Sequence, residues 1–346
     1  MRNILCVTLI ALLGGCTSTS VTEKYQDKRN DIINVKDKVI EFETGNVLIG
    51  SVSRLYMSNK CLLIADHKSV DKQIHIFNKN DFSYLTSIGN FGEGPEEITV
   101  MGCLAIDEAH HQLYVSDHAK QKIFSYDMDS VMVDSLYKPQ VKTAMNETLF
   151  PSEYQYINDT LSIAVLIKPT STSTFNQFLG RWNMNTGEMI PMKYTHPDIQ
   201  KKRITFAASE KAGIYVECYT RHDLMTICSL DGELLYNIYG PDWDGGNGNK
   251  LQSFGTVMIG NDKIFVSYCG EDYARDSFPT KILVFDLEGN YLKTLETGYK
   301  ISDCCYDSFN NRIILSLNDV VQFAYLDIDG IISVSYTHLT LPTIYS

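Results

Sequence analysis

The sequence predicts an all-β fold, a six-bladed β-propeller of four-stranded antiparallel blades. Three observations lead there: a short apolar, β-rich segment recurs six times, its spacing is even, and no long segment carries a helical 3.6-residue period. The copies are Leu62–Asp66, Leu113–Asp117, Leu161–Val165, Ile214–Glu217, Ile264–Ser267 and Ile313–Ser316, with starts 51, 48, 53, 50 and 49 residues apart. A four-stranded sheet of this size cannot bury both faces alone, so the units must stack. Closing the stack into a ring leaves no unit with an open face.

Each element of a unit follows in order. A leading strand precedes the repeat, as in Leu104-Ala105-Ile106 and Thr256–Ile259. The recurring segment is the second strand. A third follows, as in Gln73–Phe77, Lys122–Tyr126 and Lys281–Phe285. A turn comes next, at Asn80-Asp81, Asp129-Ser130, Thr186-Gly187, Asp231-Gly232, Glu288-Gly289 and Asp329-Gly330. Such pairs supply the positive φ of a tight hairpin. The fourth strand then runs through Tyr84–Ile88, Leu234–Ile238 or Tyr291–Leu295. Val39–Phe42, ahead of the first unit, is placed to return as a strand of the sixth blade and latch the circle. The propeller is thus expected over residues 39–333.

Composition agrees with a folded, acidic chain. Of 346 residues, 44% are hydrophobic and 21% charged, which a disordered chain would not show. Thirty Lys and Arg against 42 Asp and Glu give a net charge of −12, which argues against nucleic-acid partners and against adsorption to anionic headgroups.

Both ends read as lying outside the fold. Arg2, the apolar run Ile4–Leu13 and Leu13-Gly14-Gly15-Cys16 resemble a bacterial lipoprotein signal, with residues 1–15 removed and Cys16 lipidated. Residues 16–38 are polar and are expected to form a tether that stands the head off the membrane. Residues 334–346, beginning Val334-Ser335-Tyr336-Thr337-His338, resemble a translated sequencing adapter and are expected to be non-native.

The segment Gly89–Glu97 with the lipobox and repeats such as Leu113–Asp117 followed by Ile123–Asp127 resembles the TolB-like, NHL-like six-bladed propeller lipoproteins of Gram-negative anaerobes. Glu96 stands where that family usually has a second glycine. The resemblance implies an address in the cell envelope, at the outer membrane, more than it implies a chemistry.

Candidate ligand contacts come from loops expected on one face. Two glycine-rich crossovers, one with Gly92, Gly94 and Glu96 and the other with Asp242 and Trp243, lie three repeats apart and so across the ring from each other. The loops after the second strands carry Asp66-His67, Asp117-His118 and Arg221-His222. Repetition also suits a plainer reading, with aspartates capping turns and histidines exposed beside them. Asp242, Asp244 and Asn247 offer oxygen ligands for Ca²⁺, but no bidentate Glu stands at the expected distance, and the sequence implies no obligatory cofactor. No Gly-x-Ser-x-Gly elbow or His-Glu-x-x-His is present. Cysteines 61, 103, 218, 228, 269, 304 and 305 form no regular framework, although Cys218 and Cys228 flank a turn and could pair.

The reading is a lipid-anchored envelope module, non-catalytic, that binds or scaffolds a peptide, a glycan or a protein partner, on the periplasmic side. The alternative is a metal-dependent lactonase, lyase or glycan-active enzyme with ligands contributed one per blade to the channel. What separates the two is whether carboxylates and a histidine from several blades meet at the axis.

Overall fold

The computed structural model describes residues 22–332, apart from 135, 172, 201 and 247–250. It is a six-bladed β-propeller, each blade a meander running outward from the axis. The innermost strands are Ser53–Met57, Met101–Asp107, Phe150–Asn158, Ile204–Ser209, Leu251–Ile259 and Ile301–Asp307. The six recurring segments are the second strands, and they are the most buried, because blades press on both of their faces. Between blades one and two, for example, Ile74, Ile76 and Leu63 meet Leu104, Val115 and Phe124, all at most 1% exposed. Each such side chain is favoured by about 1.5–3 kcal/mol over an exposed one.

The ring closes as expected. Strand β3 (Val39–Glu41) pairs antiparallel with Phe323–Asp327 and supplies the outermost strand of blade six. A strand from near the start of the described chain thereby completes its last blade.

Residues 22–38, expected to be part of a tether, are instead built into the fold. Strand β1 (Glu23–Tyr25) adds in parallel to Leu234–Tyr239 at the rim of blade four, and β2 (Ile32–Asn34) adds in parallel to Tyr291–Glu296 of blade five. Residues 22–41 therefore lace three successive blades. The polar groups that made the segment look like a linker are its fastenings: Tyr239 Oη donates to Glu23 Oε2 at 2.6 Å, and Arg29 reaches Asp223 at 2.7 Å. Residues 1–15, expected to be a signal peptide, Cys16 and the segment 334–346 lie outside the described residues.

Two local expectations are corrected. The turn at Asp129-Ser130 is a short helix, Met128–Val133, whose N-cap Asp127 accepts from Ser130 N–H. Cys218 and Cys228 do not pair. Cys218 stands opposite Met225 and Cys228 opposite Tyr215, so the two thiols project from opposite sides of the blade into different core clusters. All seven described cysteines are buried as free thiols.

Because each blade is a meander, its loops sort onto two faces. The loops joining second to third strands and the crossovers between blades share one, here the crossover face. The tight turns share the other, the hairpin face.

Candidate functional site

A channel of about 1720 Å³ runs along the axis, lined by all six innermost strands. Its mouth on the crossover face gathers His67 and Lys68 from blade one, His118 from blade two, and Arg203 and Arg221 from blade four. Arg54 lies just inside, where it donates from Nη1 to Glu153 Oε1 at 2.8 Å, linking blade one to blade three.

The loop aspartates take a structural role. Asp66 Oδ2 accepts from Gly50 N–H at 2.8 Å, and Oδ1 accepts from Lys68 N–H at 3.0 Å. Asp117 accepts from the N–H groups of Thr99, Val100, Ala119 and Lys120. Both carboxylates are buried and tie the loop after their own strand to the crossover leading into their blade. They hold the histidines that follow them at the channel mouth.

His67 Nδ1 lies 3.3 Å from the Met101 carbonyl, so that nitrogen carries the proton. Burial lowers the pKa of His67, with Arg54 and then His118 adding to the effect. Burial likewise lowers that of His118. Both rings are therefore neutral at neutral pH. Gly102 runs alongside: a Cβ there would overlap Ser116 Oγ and His118 Nε2, so the innermost strand of blade two passes this close only without a side chain.

The glycine crossover of blades one and two is built around a cation. Lys120 Nζ donates to the carbonyls of Gly94 at 2.5 Å and Glu97 at 2.6 Å, and more weakly to Gly92 at 3.4 Å. The Glu97 carboxylate folds back to accept from Gly94 N–H at 2.8 Å and fills the space a Cβ at Gly92 would need. Glu96 points outward to Lys138 at 2.7 Å. Gly92, Gly94 and Glu96 do not line the channel.

The second crossover is anchored rather than mobile in its first half. Trp243 packs on Tyr239, His196 and His222 at ring separations of 5.0, 5.7 and 5.9 Å. Asp242 N–H donates to the buried Asp223, and Asp242 Oδ2 accepts from Tyr268 Oη at 3.4 Å. Asp244 Oδ1 lies 3.8 Å from His222 Nδ1, and Asn247 lies outside the described residues. His222, Asp242 and Trp243 thus form a wall beside the mouth, while Arg221 of the same loop reaches the lining.

Of the residues read from the sequence, His67, His118 and Arg221 meet at the channel. Arg54, Lys68, Arg203, Glu153 and Asp303 join them; Lys68 follows His67 in a loop the sequence singled out, and the other four come singly from different segments, which is why sequence reading missed them. Carboxylates and histidines from several blades do line the axis, but the carboxylates are engaged. Glu153 holds Arg54, and Asp303 accepts from Leu55 N–H and from Thr256 Oγ1 at 2.8 and 2.7 Å. Burial raises the Asp303 pKa, against the pull of those donors. Among the described residues, one cluster of at least three His, Cys, Asp or Glu side chains has its ligand atoms within 4.8 Å of one another. It is Asp107, His110 and Asp159, and it lies on the hairpin face. There Asp107 accepts from the backbone and ring of His110, just as Asp307 accepts from Asn310 in blade six. That parallel marks a turn cap.

The comparisons with known proteins agree with the fold. Residues 18–176 match the DUF5128 family model, described as a 6-bladed beta-propeller. A Bacteroides fragilis protein described as exported is 13% identical, with a TM-score of 0.56 over 85% of this chain and 87% of that one. A member of the DUF4221 family from Bacteroides vulgatus is 11% identical, with a TM-score of 0.53 over 83% and 94%. The β-propeller domain of Myceliophthora thermophila Cps50 (Swd1) is 9% identical, with a TM-score of 0.52 over 83% and 98%. No curated protein is significantly similar in sequence.

Proposed function

We propose that this protein is a non-catalytic binding module of the cell envelope, anchored by lipid on Cys16 and facing the periplasm, whose ligand sits at the crossover-face mouth of the channel. The observation that carries the reading is the mouth itself. Loops at the ends of the blade strands hold Lys68, Arg203 and Arg221 around one opening, in a chain whose net charge is −12. Charges of one sign gathered on a surface of the other sign attract a complementary partner and raise its rate of encounter. The capped loops Asp66–Lys68 and Asp117–Lys120 keep the opening preorganised, which lowers the ordering cost of binding.

The lipobox supports the anchor. Only six residues lie between Cys16 and Glu23, and the seven steps from one to the other, at about 3.3–3.6 Å each, reach no more than about 25 Å. The rim of blade four, where β1 is fastened, would therefore ride close to the bilayer.

Two experiments test the proposal. Radiolabelled fatty acid should enter the full-length protein and not Cys16→Ala. On peptide and glycan arrays the protein should retain ligands that Lys68→Glu with Arg221→Glu abolishes and Lys211→Glu, on the hairpin face, leaves bound. Ligands insensitive to the mouth substitutions would contradict the site.

A further inference from the structure

The ladder of blade four pairs Ile204 with Tyr219, which sets Arg203 opposite Thr220 and beside Arg221. Thr220 fixes this arrangement by donating both its N–H, at 2.9 Å, and its hydroxyl, at 3.2 Å, to the Arg203 carbonyl. Arg203 and Arg221 both line the channel mouth on the blade-four side. Among the described residues neither has a carboxylate partner, whereas the other channel arginine, Arg54, has Glu153. Two cations without a counter-charge in one opening attract an anion.

The surroundings give the anion's chemistry. Arg221 stacks on Tyr273 with Cζ 3.6 Å from the ring centroid, which leaves the guanidinium edge free for a planar, two-oxygen acceptor. In the same blade-five loop Tyr273 and Phe278 are 46% and 37% exposed, and both line the channel. Gln252 and Thr205 add neutral amide and hydroxyl groups to the same wall. Exposed aromatic rings meet the C–H faces of sugar rings, neutral donors and acceptors meet hydroxyls, and guanidinium meets carboxylate.

We infer that the blade-four and blade-five side of the mouth is a subsite for a carboxylated sugar, a uronate-containing oligosaccharide. Arg203 and Arg221 engage its carboxylates, and Tyr273 with Phe278 supports its ring. The inference rests on the mouth being the binding site and adds the ligand class. An acidic peptide could satisfy the charges but makes no use of the aromatic and hydroxyl wall.

The test is calorimetric titration of the full-length protein in detergent. The probes are oligogalacturonate, oligomannuronate and hyaluronan oligosaccharides, fully methyl-esterified oligogalacturonate, a neutral glucan of equal length and an oligoglutamate of equal charge. At least one uronate should bind. Methyl esterification should weaken oligogalacturonate, if that is the uronate bound, by about tenfold or more, and Arg203→Gln and Arg221→Gln should each weaken the bound uronate similarly. Lys211→Gln should have no effect, and the melting temperature of all three variants should match wild type. Absence of uronate binding, equal affinity for the methyl ester, or tighter binding of oligoglutamate would overturn the inference. If the neutral glucan or the peptide binds and Lys68→Glu with Arg221→Glu abolishes it, the ligand class is wrong and the mouth stands. If nothing that binds responds to those substitutions, both readings fall.

Discussion

Arg29 Nη1 donates to Asp223 Oδ1 at 2.7 Å, and both side chains are buried. The guanidinium is ringed by Phe254, Tyr268 and Phe285, each with its centroid 5.6–5.7 Å away. Asp223 also accepts from Asp242 N–H, and its carboxylate fills the space a side chain at Gly240 would need. One buried ion pair therefore joins the N-terminal arm to both loops that frame the blade-four side of the channel mouth.

Removing that cation should be costly. Arg29→Ala leaves the Asp223 carboxylate buried without its counter-charge, and a loss of about 3–5 kcal/mol is expected. Urea denaturation of the variant measures it. Hydrogen exchange should rise at 219–224 and 240–246 before it rises in the second strands.

The glycine crossover makes a sharper test of packing. Gly92→Ala places a methyl group on the Glu97 carboxylate, and a destabilisation of about 1–3 kcal/mol is expected. Glu97→Ala removes the obstacle, so the double variant should lose less than the two single losses added together. Additive losses would show that the carboxylate does not occupy that space.

How far the sequence revealed this architecture depends on the kind of residue. The blades were legible because the second strands, such as Cys61–Asp66 and Arg312–Leu317, are buried on both faces and read as apolar runs at a fixed interval. The latch Val39–Glu41 was legible from its position ahead of the first unit, although the strand itself is largely exposed. The arm was not: β1 and β2 are three residues each, pair in parallel with existing edges, and are held by Glu23 and Arg29, whose polarity reads as solvent exposure. At the mouth, His67 and His118 were legible as matching positions in adjacent repeats. Arg54 and Arg203 were not, because one enters from an innermost strand and the other from the crossover just before one, neither with a motif.

The histidines set a pH dependence. Burial lowers the pKa of His67, His75, His118, His196 and His222, while hydrogen bonding to Asp107 raises that of exposed His110. Unfolding lets the five depressed groups take up protons at their ordinary value of 6.5, so the unfolded state binds more protons just below that pH. Stability should therefore fall as pH drops below about 6.5, towards the lowered folded values, and His110 opposes this in part. Melting temperatures between pH 7.5 and 5 measure the effect. His118→Gln should flatten the curve, and an unchanged slope would mean that His118 does not titrate with unfolding.

The latch can be tested by deletion. Without residues 22–41 the Phe323–Asp327 strand becomes an open edge, and Asp223 loses Arg29. The truncated chain is expected to unfold without a single cooperative transition, read by circular dichroism against urea.

Ligand is expected to bind where the crossovers meet the channel. Hydrogen–deuterium exchange of the full-length protein, with and without an oligosaccharide that titrates onto it, tests this most directly. Protection is expected at 66–71, 99–103, 203–205, 219–223 and 273–279, with no change at the hairpin-face turns 58–60, 159–160 and 210–213. Protection confined to those turns would contradict the account.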